Sequence, residues 1–162
     1  LAFGTGSHPT THLCLRWLDK QDLAGQTIID YGCGSGILGI AALLLGAEKV
    51  IAVDNDPQAL LATRDNAERN NIAQERLTTY LADQLPADIC GATMVANILA
   101  EPLIELASRL IAHTEAGGLL CLSGLLENQI DAVSLPYAED FVFAEAAIES
   151  EWAQLSARKK SS

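Results

Sequence analysis

The sequence predicts an α/β domain in which helices cover both faces of a mostly parallel sheet. Short buried runs rich in β-branched residues alternate five times with helical segments along the 162-residue chain. Buried strands joined by amphipathic helices form parallel sheets, because the connecting helices cover both faces. The chain has the length of one ordinary domain, and it contains no internal repeat, linker or low-complexity stretch.

Local residues predict the order of the elements. The expected parallel strands are 27–31, 49–53, 77–82, 93–96 and 119–122. The expected helices are 37–45, 57–71, 102–111 and 125–133, and the second is opened by Asp56 as N-cap and Pro57 in its first turn. Segments 141–148 and 152–157 have no helix between them, which predicts that they pair as antiparallel strands.

Charge and cysteine usage limit the classes of partner. The chain has 10 basic and 21 acidic residues, a net charge of −11. This balance disfavours direct nucleic-acid binding, which depends largely on Lys and Arg, and suits a basic partner. No apolar run reaches the roughly 20 residues of a membrane span, and we recognise no signal peptide. Because Cys14, Cys33, Cys90 and Cys121 form no Cys-x-x-Cys motif, we expect free thiols and a cytoplasmic protein.

A glycine-rich loop follows the first strand and has two interpretations. Gly34, Gly36 and Gly39 match the dinucleotide-binding fingerprint, and Asp54 lies 20 residues beyond Gly34, where that fingerprint places its ribose-binding acid. An NAD-dependent oxidoreductase is therefore one alternative. Asp30, two residues before the loop, would repel a pyrophosphate and suits a cationic ligand such as the sulfonium of S-adenosylmethionine. The structural alternative is that Asp30 caps neighbouring backbone.

Polar residues that end the strands are the candidate ligand contacts, because ligands of such sheets bind beyond the carboxyl ends of the strands. Asp54 can accept hydrogen bonds from both ribose hydroxyls. It is not needed as the N-cap of the following helix, because Asp56 already has that role. Asp83 could reach an adenine edge or be a plain loop acid. Asn97 is placed near the transferable group, where its amide oxygen could accept hydrogens from a substrate amine. The alternative for Asn97 is a cap of the next helix.

The first residues of the chain form a second candidate segment. It begins at Leu1 within a polar, loop-like stretch, so we interpret the chain as a fragment of a longer protein. We expect this stretch to fold over a ligand, with Thr11 donating its hydroxyl. His8 and His12 are four residues apart, but Pro9 disfavours helical geometry at His8 and no third ligand is evident, so we expect no metal site.

Three motifs together resemble the PrmA family of ribosomal protein methyltransferases. They are residues 3–11 (Phe-Gly-Thr-Gly-Ser-His-Pro-Thr-Thr), 30–38 (Asp-Tyr-Gly-Cys-Gly-Ser-Gly-Ile-Leu) and 97–100 (Asn-Ile-Leu-Ala). Related glutamine and nucleobase methylases usually have Asn-Pro-Pro-aromatic in place of the third motif. The resemblance implies a class I S-adenosylmethionine-dependent methyltransferase fold, which is Rossmann-like and has a seven-stranded sheet with an antiparallel last strand.

The resemblance also implies a site and a reaction. Thr11, Gly32, Asp54 and Asn97 would contact S-adenosylmethionine together with Gly34 of the glycine loop, and Asn97 would be the catalytic residue. The reaction would be N-methylation of lysine side chains and of the N-terminal amine of large-subunit ribosomal protein eleven, with S-adenosylhomocysteine as product.

The resemblance further predicts how the domain is used. Residues 1–162 would be the cofactor-binding catalytic domain, and the family's N-terminal substrate-recognition domain would be absent. We expect a monomer that meets its basic substrate through that domain, with no direct nucleic-acid or membrane contact. The alternatives are a methyltransferase for another protein, a small-molecule amine or RNA, and a binding module without catalysis.

Overall fold

The computed structural model describes residues 8–161. The helices in this part are α1 (Pro9–Asp19), α2 (Ile37–Leu44), α3 (Pro57–Arg69), α4 (Ala100–Glu105), α5 (Ala107–Ala112) and α6 (Ile130–Ser134). The strands are β1 (Thr27–Tyr31), β2 (Lys49–Asp54), β3 (Leu77–Leu81), β4 (Gly91–Asn97), β5 (Thr114–Leu126), β6 (Phe141–Phe143), β7 (Ala147–Glu149) and β8 (Trp152–Lys159). None of the helices in residues 8–161 is long and apolar enough to span a membrane.

The strands form one mixed sheet in the order β3-β2-β1-β4-β5-β8-β6. Strands β1 to β5 pair in parallel, whereas β8 is antiparallel to β5, which confirms the predicted α/β sheet with an antiparallel end. The segment predicted as one strand over 141–148 is broken into β6 and β7, which pair with opposite ends of β8. Since β5 occupies the other edge of β8, the two short strands share one position. The described sheet therefore has eight strands in seven positions.

The two faces of the sheet are covered by different helices, as predicted. Ile28 packs on the face shared by α1, α2 and α3, with Leu18, Leu43 and Leu60. Its neighbour Ile29 points to the other face and packs in the cluster that contains Leu103, Leu110 and Val133 of α4, α5 and α6. Neighbouring residues of a strand point to opposite faces, so β1 is buried on both sides.

Strand β5 is longer than the sequence predicts, because its glycines do not end it. The prediction was residues 119–122, and the strand runs from Thr114 to Leu126. Gly117 has φ +77°, and the pairing with β4 shifts between Gly91 and Thr93. Gly124 has φ +96°, and the pairing with β8 shifts beside it. Glycines at bulges bend a strand without ending it.

Two predicted helices differ from the structure in extent. The helix expected over 102–111 is interrupted at Leu106 and forms α4 and α5, although its predicted apolar residues Leu103, Ala107 and Leu110 are buried. The helix expected over 125–133 begins late, because Leu125 and Leu126 still belong to β5. The α-helix α6 starts only at Ile130, after a single 3-10 turn.

Candidate active site

A cleft of about 600 Å³ opens beyond the carboxyl ends of β1, β2 and β3 and beside the segment after β4. This is the edge where the sequence predicted a ligand. Gly32, Asp54 and Asp83, all proposed from the sequence, line it. Its remaining lining residues are Tyr31, Asn55, Pro57, Leu81, Ala82, Ile98, Pro102, Leu106 and Arg109.

The glycine loop enters the cleft through left-handed backbone. Gly32, Gly34 and Gly36 have φ values of +78°, +54° and +86°, a region that glycine adopts without steric cost. The amide of Gly32 donates to the carbonyl of Val53 at 2.7 Å, which fixes the start of the loop against the end of β2. The backbone at Gly32 is therefore held at the cleft wall, where glycine adds no side chain of its own.

Asp54 links the glycine loop to β2. Its Oδ2 accepts a hydrogen bond from the amide of Gly34 at 3.0 Å, and its Oδ1 accepts one from the amide of Asp56 at 3.0 Å. Asp56 caps α3 as predicted, because its side chain accepts from the amide of Gln58 at 2.9 Å. Asp54 thus already accepts two backbone hydrogen bonds, which the sequence did not predict. An ionised carboxylate has about four acceptor positions, so Asp54 can still accept from ligand hydroxyls.

Asp30 caps neighbouring backbone, which was the structural alternative to the ligand contact predicted from the sequence. Its carboxylate is buried, does not line the cleft, and accepts a hydrogen bond from the amide of Gly39 at 3.1 Å. Burial raises the pKa of Asp30 from 3.8 to about 7, and the hydrogen bond from Gly39 offsets part of that effect. The carboxyl group therefore carries a proton much of the time at neutral pH, and the repulsion of a pyrophosphate that we predicted from it is weak.

Asn97 ends β4 in a buried position with an unused acceptor. Its Nδ2 donates to the hydroxyl of Thr11 at 3.4 Å, whereas its Oδ1 is the one buried side-chain oxygen or nitrogen in residues 8–161 without a hydrogen-bond partner. Buried polar groups are nearly always paired, so an orphaned carbonyl indicates a ligand donor. The alternative role as helix cap does not apply, because α4 has Leu99 as its N-cap.

Thr11 contacts Asn97 and is not among the residues that line the cleft. It is buried near the start of α1, with its hydroxyl toward the amide of Asn97. Asn97 and Gly34, which were also predicted to contact the cofactor, are likewise not among the lining residues, although Ile98 directly after Asn97 is. Residues 3–7 of the predicted loop lie outside the described part of the chain.

Ile98 is a site residue that the sequence identified only as a member of the 97–100 motif. Its side chain occupies the space that a Cβ on Gly32 would need. On its other side, its backbone occupies the space of a Cβ on Gly124, where the Ile98 carbonyl carbon would be only 2.6 Å away. Two positive-φ glycines thus enclose the residue that follows Asn97. The isolated Gly124 after an apolar run was the available signal for this close backbone approach.

The histidines and cysteines have structural partners. His8 caps α1, where its Nδ1 accepts from the amide of Thr10 at 3.2 Å, and His12 lies 3.0 Å from the carboxylate of Glu149. In residues 8–161 no three His, Cys, Asp or Glu residues form a group that could hold a metal ion. Cys14 and Cys121 are buried and free, with their sulfur atoms 3.8 Å apart.

The lining of the cleft suits an adenosine-bearing cofactor. The carboxylate of Asp54 can accept from sugar hydroxyls, and Leu81 and Ile98 provide apolar surface for a purine ring. The carboxylate of Asp83 is a further acceptor at the same edge. The unpartnered carbonyl of Asn97 lies at the end of the neighbouring strand β4.

Comparison with known proteins identifies relatives. The family model described as "Ribosomal protein L11 methyltransferase (PrmA)" matches residues 1–160. The ribosomal protein L11 methyltransferase of Aeromonas hydrophila is 55% identical over 98% of this chain and 54% of its own length. That of Marinobacter nauticus is 57% identical over 99% of this chain and 53% of its own length. The chain thus spans about half the length of these relatives.

A solved structure agrees with these matches. The ribosomal protein L11 methylase of Lactobacillus delbrueckii subsp. bulgaricus superposes with a TM-score of 0.87 and 32% identity. The match covers 96% of this chain and 81% of that one. None of these matches favours the NAD-dependent oxidoreductase that the glycine pattern left open. The chain belongs to the ribosomal protein L11 methyltransferase family.

Proposed function

We propose that this chain is the cofactor-binding catalytic part of an S-adenosylmethionine-dependent N-methyltransferase that acts on ribosomal protein L11. The relatives that bear this name match nearly all of the chain at 55–57% identity. The chain spans 53–54% of their length, and we propose that the substrate-recognition domain lies in the other part. The proposal also names the methyl acceptors, which are lysine side chains and the N-terminal amine of ribosomal protein L11.

One observation carries the catalytic proposal, and it is the unpartnered Oδ1 of Asn97. A buried carbonyl without a donor costs about 1–3 kcal/mol, and a ligand that supplies an N–H or O–H group regains this free energy. A substrate amine has such N–H groups. In the proposed site, Asn97 accepts a hydrogen bond from the amine and fixes the direction of its lone pair.

The residues around Asn97 orient it for this role. Its Nδ2 donates to the buried hydroxyl of Thr11, so the amide is held with the carbonyl oxygen available. We infer that Thr11 is a positioning residue, while Gly32, Gly34 and Asp54 hold the cofactor. The carboxylate of Asp54 accepts from the ribose hydroxyls, and its bond to the Gly34 amide keeps the loop in place.

S-adenosylmethionine supplies, when bound, a methyl group on a positively charged sulfur. A lysine ammonium group has a pKa of about 10.4 in water and has to lose a proton before it can act as a nucleophile. Removal from water and a nearby positive charge both lower that pKa. Asn97 is not a base, so its contribution is orientation and proximity of the neutral amine. A neutral amine that already carries one methyl group keeps one N–H for this bond, so a site of this kind accepts it as well.

The proposal extends to the setting of the reaction. We propose that the protein works in the cytoplasm, because its proposed substrate is a ribosomal protein and its four cysteines are free. We also propose that it acts as a monomer and without a metal. The net charge of −11 suits a basic protein substrate.

The test is methyl transfer to purified ribosomal protein L11 by the whole protein of which this chain is part. Mass spectrometry of the digested product locates the added methyl groups. The proposal expects them on lysine side chains and the N-terminal amine, with little transfer by an Asn97→Ala variant. Methyl groups on carboxylate or glutamine side chains, or an unchanged rate in the variant, would contradict it.

A further inference from the structure

Two side chains of α3 hold the glycine loop by its carbonyl groups. The hydroxyl of Thr63 donates to the carbonyl of Gly34 at 3.0 Å, and the Nδ2 of Asn66 donates to the carbonyl of Ser35 at 2.8 Å. The two donors are three residues apart, so they lie on the same face of the helix. Helix α3 therefore fixes two successive carbonyl groups of the loop.

Thr63 makes a hydrogen bond that its own helix does not require. It is fully buried in the interior of α3. A threonine in a helix often donates to a carbonyl of the preceding turn, whereas Thr63 donates to a residue 29 positions earlier in the chain. Its Oγ1 also lies 3.3 Å from the sulfur of Cys33. Burial raises the pKa of Cys33 to about 12, so this thiol keeps its proton and can donate to Thr63 while the Thr63 hydroxyl donates to Gly34.

Gly34 is held from both sides by these contacts. Its carbonyl accepts from Thr63, and its amide donates to the Oδ2 of Asp54 at 3.0 Å. A Cβ on Gly34 would meet no atom within 4 Å, so hydrogen bonds and not packing fix the residue on that side. Asp54 lines the cofactor cleft, and its carboxylate is the proposed acceptor for the ribose hydroxyls. A displacement of Gly34 therefore moves the donor that orients this carboxylate.

We propose that Thr63 is a positioning residue for the cofactor, which fixes Gly34 and thereby orients the Asp54 carboxylate toward the ribose. The inference rests on the proposed function, and it adds a residue that is not among those lining the cleft. Thr63 acts on the cofactor only through the glycine loop and Asp54, so it affects cofactor affinity and takes no part in methyl transfer.

The test is calorimetric titration of this chain with S-adenosylhomocysteine, together with thermal unfolding of the same samples. Thr63→Val keeps the shape of the side chain and removes the hydroxyl, Thr63→Ala removes the hydroxyl without adding a methyl group, and Thr63→Ser keeps the hydroxyl. The matched control is Thr114→Val. Thr114 is also fully buried, its hydroxyl donates to the backbone carbonyl of Leu110 at 2.7 Å, and it does not line the cleft.

We expect the variants without the hydroxyl, Thr63→Val and Thr63→Ala, to bind S-adenosylhomocysteine roughly fivefold more weakly, the scale of one hydrogen bond between uncharged groups. Thr63→Ser and the control Thr114→Val should change the affinity less than about twofold. Thr63→Val and Thr114→Val should lower the Tm by similar amounts, because each loses one buried hydrogen bond. A purely structural role of Thr63 would therefore not separate the affinities of these two variants.

A double-mutant cycle with Asp54→Ala tests the path through that carboxylate. In the Asp54→Ala background, Thr63→Val should weaken binding less than about twofold, because changes within one hydrogen-bond network are not additive. An equal loss in both backgrounds, an unchanged affinity of Thr63→Val, or an equal loss in Thr114→Val overturns the inference. Absence of S-adenosylhomocysteine binding by the unmodified chain contradicts the proposed function instead.

Discussion

Gly124→Ala is the substitution for which the structure allows the clearest estimate. The Cβ of alanine would lie 2.6 Å from the carbonyl carbon of Ile98, whereas carbon atoms in contact stay about 3.5 Å apart. The overlap is therefore close to 1 Å, and it falls on backbone, which cannot rotate away. The φ of +96° adds strain of roughly 1–2 kcal/mol for a residue with a Cβ.

Overpacking of this kind costs about 1–3 kcal/mol in addition to the strain, so we expect a total loss of about 3 kcal/mol. For a chain of this length, one kcal/mol corresponds to roughly 2–4 °C in Tm, which gives a decrease of about 6–12 °C. Because Ile98 lines the cofactor cleft, its displacement should also weaken S-adenosylhomocysteine binding severalfold. Calorimetry measures both quantities on the same samples.

Gly25→Ala is the matched control. Gly25 also has a positive φ, +73°, but a Cβ there would meet no atom within 4 Å. This variant should lose only the strain, about 1–2 kcal/mol, with unchanged cofactor affinity. If the two variants melt at the same temperature and bind S-adenosylhomocysteine equally well, the close approach of Gly124 to Ile98 does not shape the site.

Three further substitutions test the site. Asp54→Ala should weaken S-adenosylhomocysteine binding by about 1–3 kcal/mol in calorimetry, because the charged acceptor at the cleft is lost, and equal affinity would remove Asp54 from the ribose. Asn97→Ala should slow methyl transfer far more than it weakens cofactor binding, and an equal loss in both would refute its orienting role. Asp30→Asn should gain stability relative to the unmodified chain as pH rises from about 4 to 7. The pKa of Asp30 is about 7 in the folded protein and 3.8 in the unfolded chain, so between these values only the folded protein keeps the proton. Each pH unit in this range therefore lowers the free energy of unfolding of the unmodified chain by about 1.4 kcal/mol. Urea unfolding at several pH values measures this difference, and a constant difference would contradict the raised pKa.

Local sequence signals predicted the parts of the fold that depend on neighbouring residues. Asp56 before Pro57 marked the start of α3, because a cap and its helix lie within one turn of each other. The apolar spacing of Leu103, Ala107 and Leu110 identified their buried face. The position of Asp54 at the end of a strand placed it at the cleft, since parallel strands end at the same edge.

Features that depend on distant partners were missed. Gly117 and Gly124 resembled strand ends, but β4 and β8 continue to pair with β5 around them. Asp30 resembled a ligand contact, and only the approach of Gly39 from α2 shows that its acceptor is used by backbone. A smaller cleft of about 500 Å³ lies between α4 and Trp152, which is about 50 residues further along the chain, and no local pattern predicts such a contact.

Titration of this chain with S-adenosylhomocysteine, and separately with NADH, tests the central claim most directly. The cleft beyond β1, β2 and β3 is lined by residues of this chain, so we expect the chain to bind the cofactor without the other part of the relatives. We predict saturable binding of S-adenosylhomocysteine that Asp54→Ala weakens, and no binding of NADH. Binding of NADH alone would contradict the proposed cofactor and assign the glycine loop to a dinucleotide.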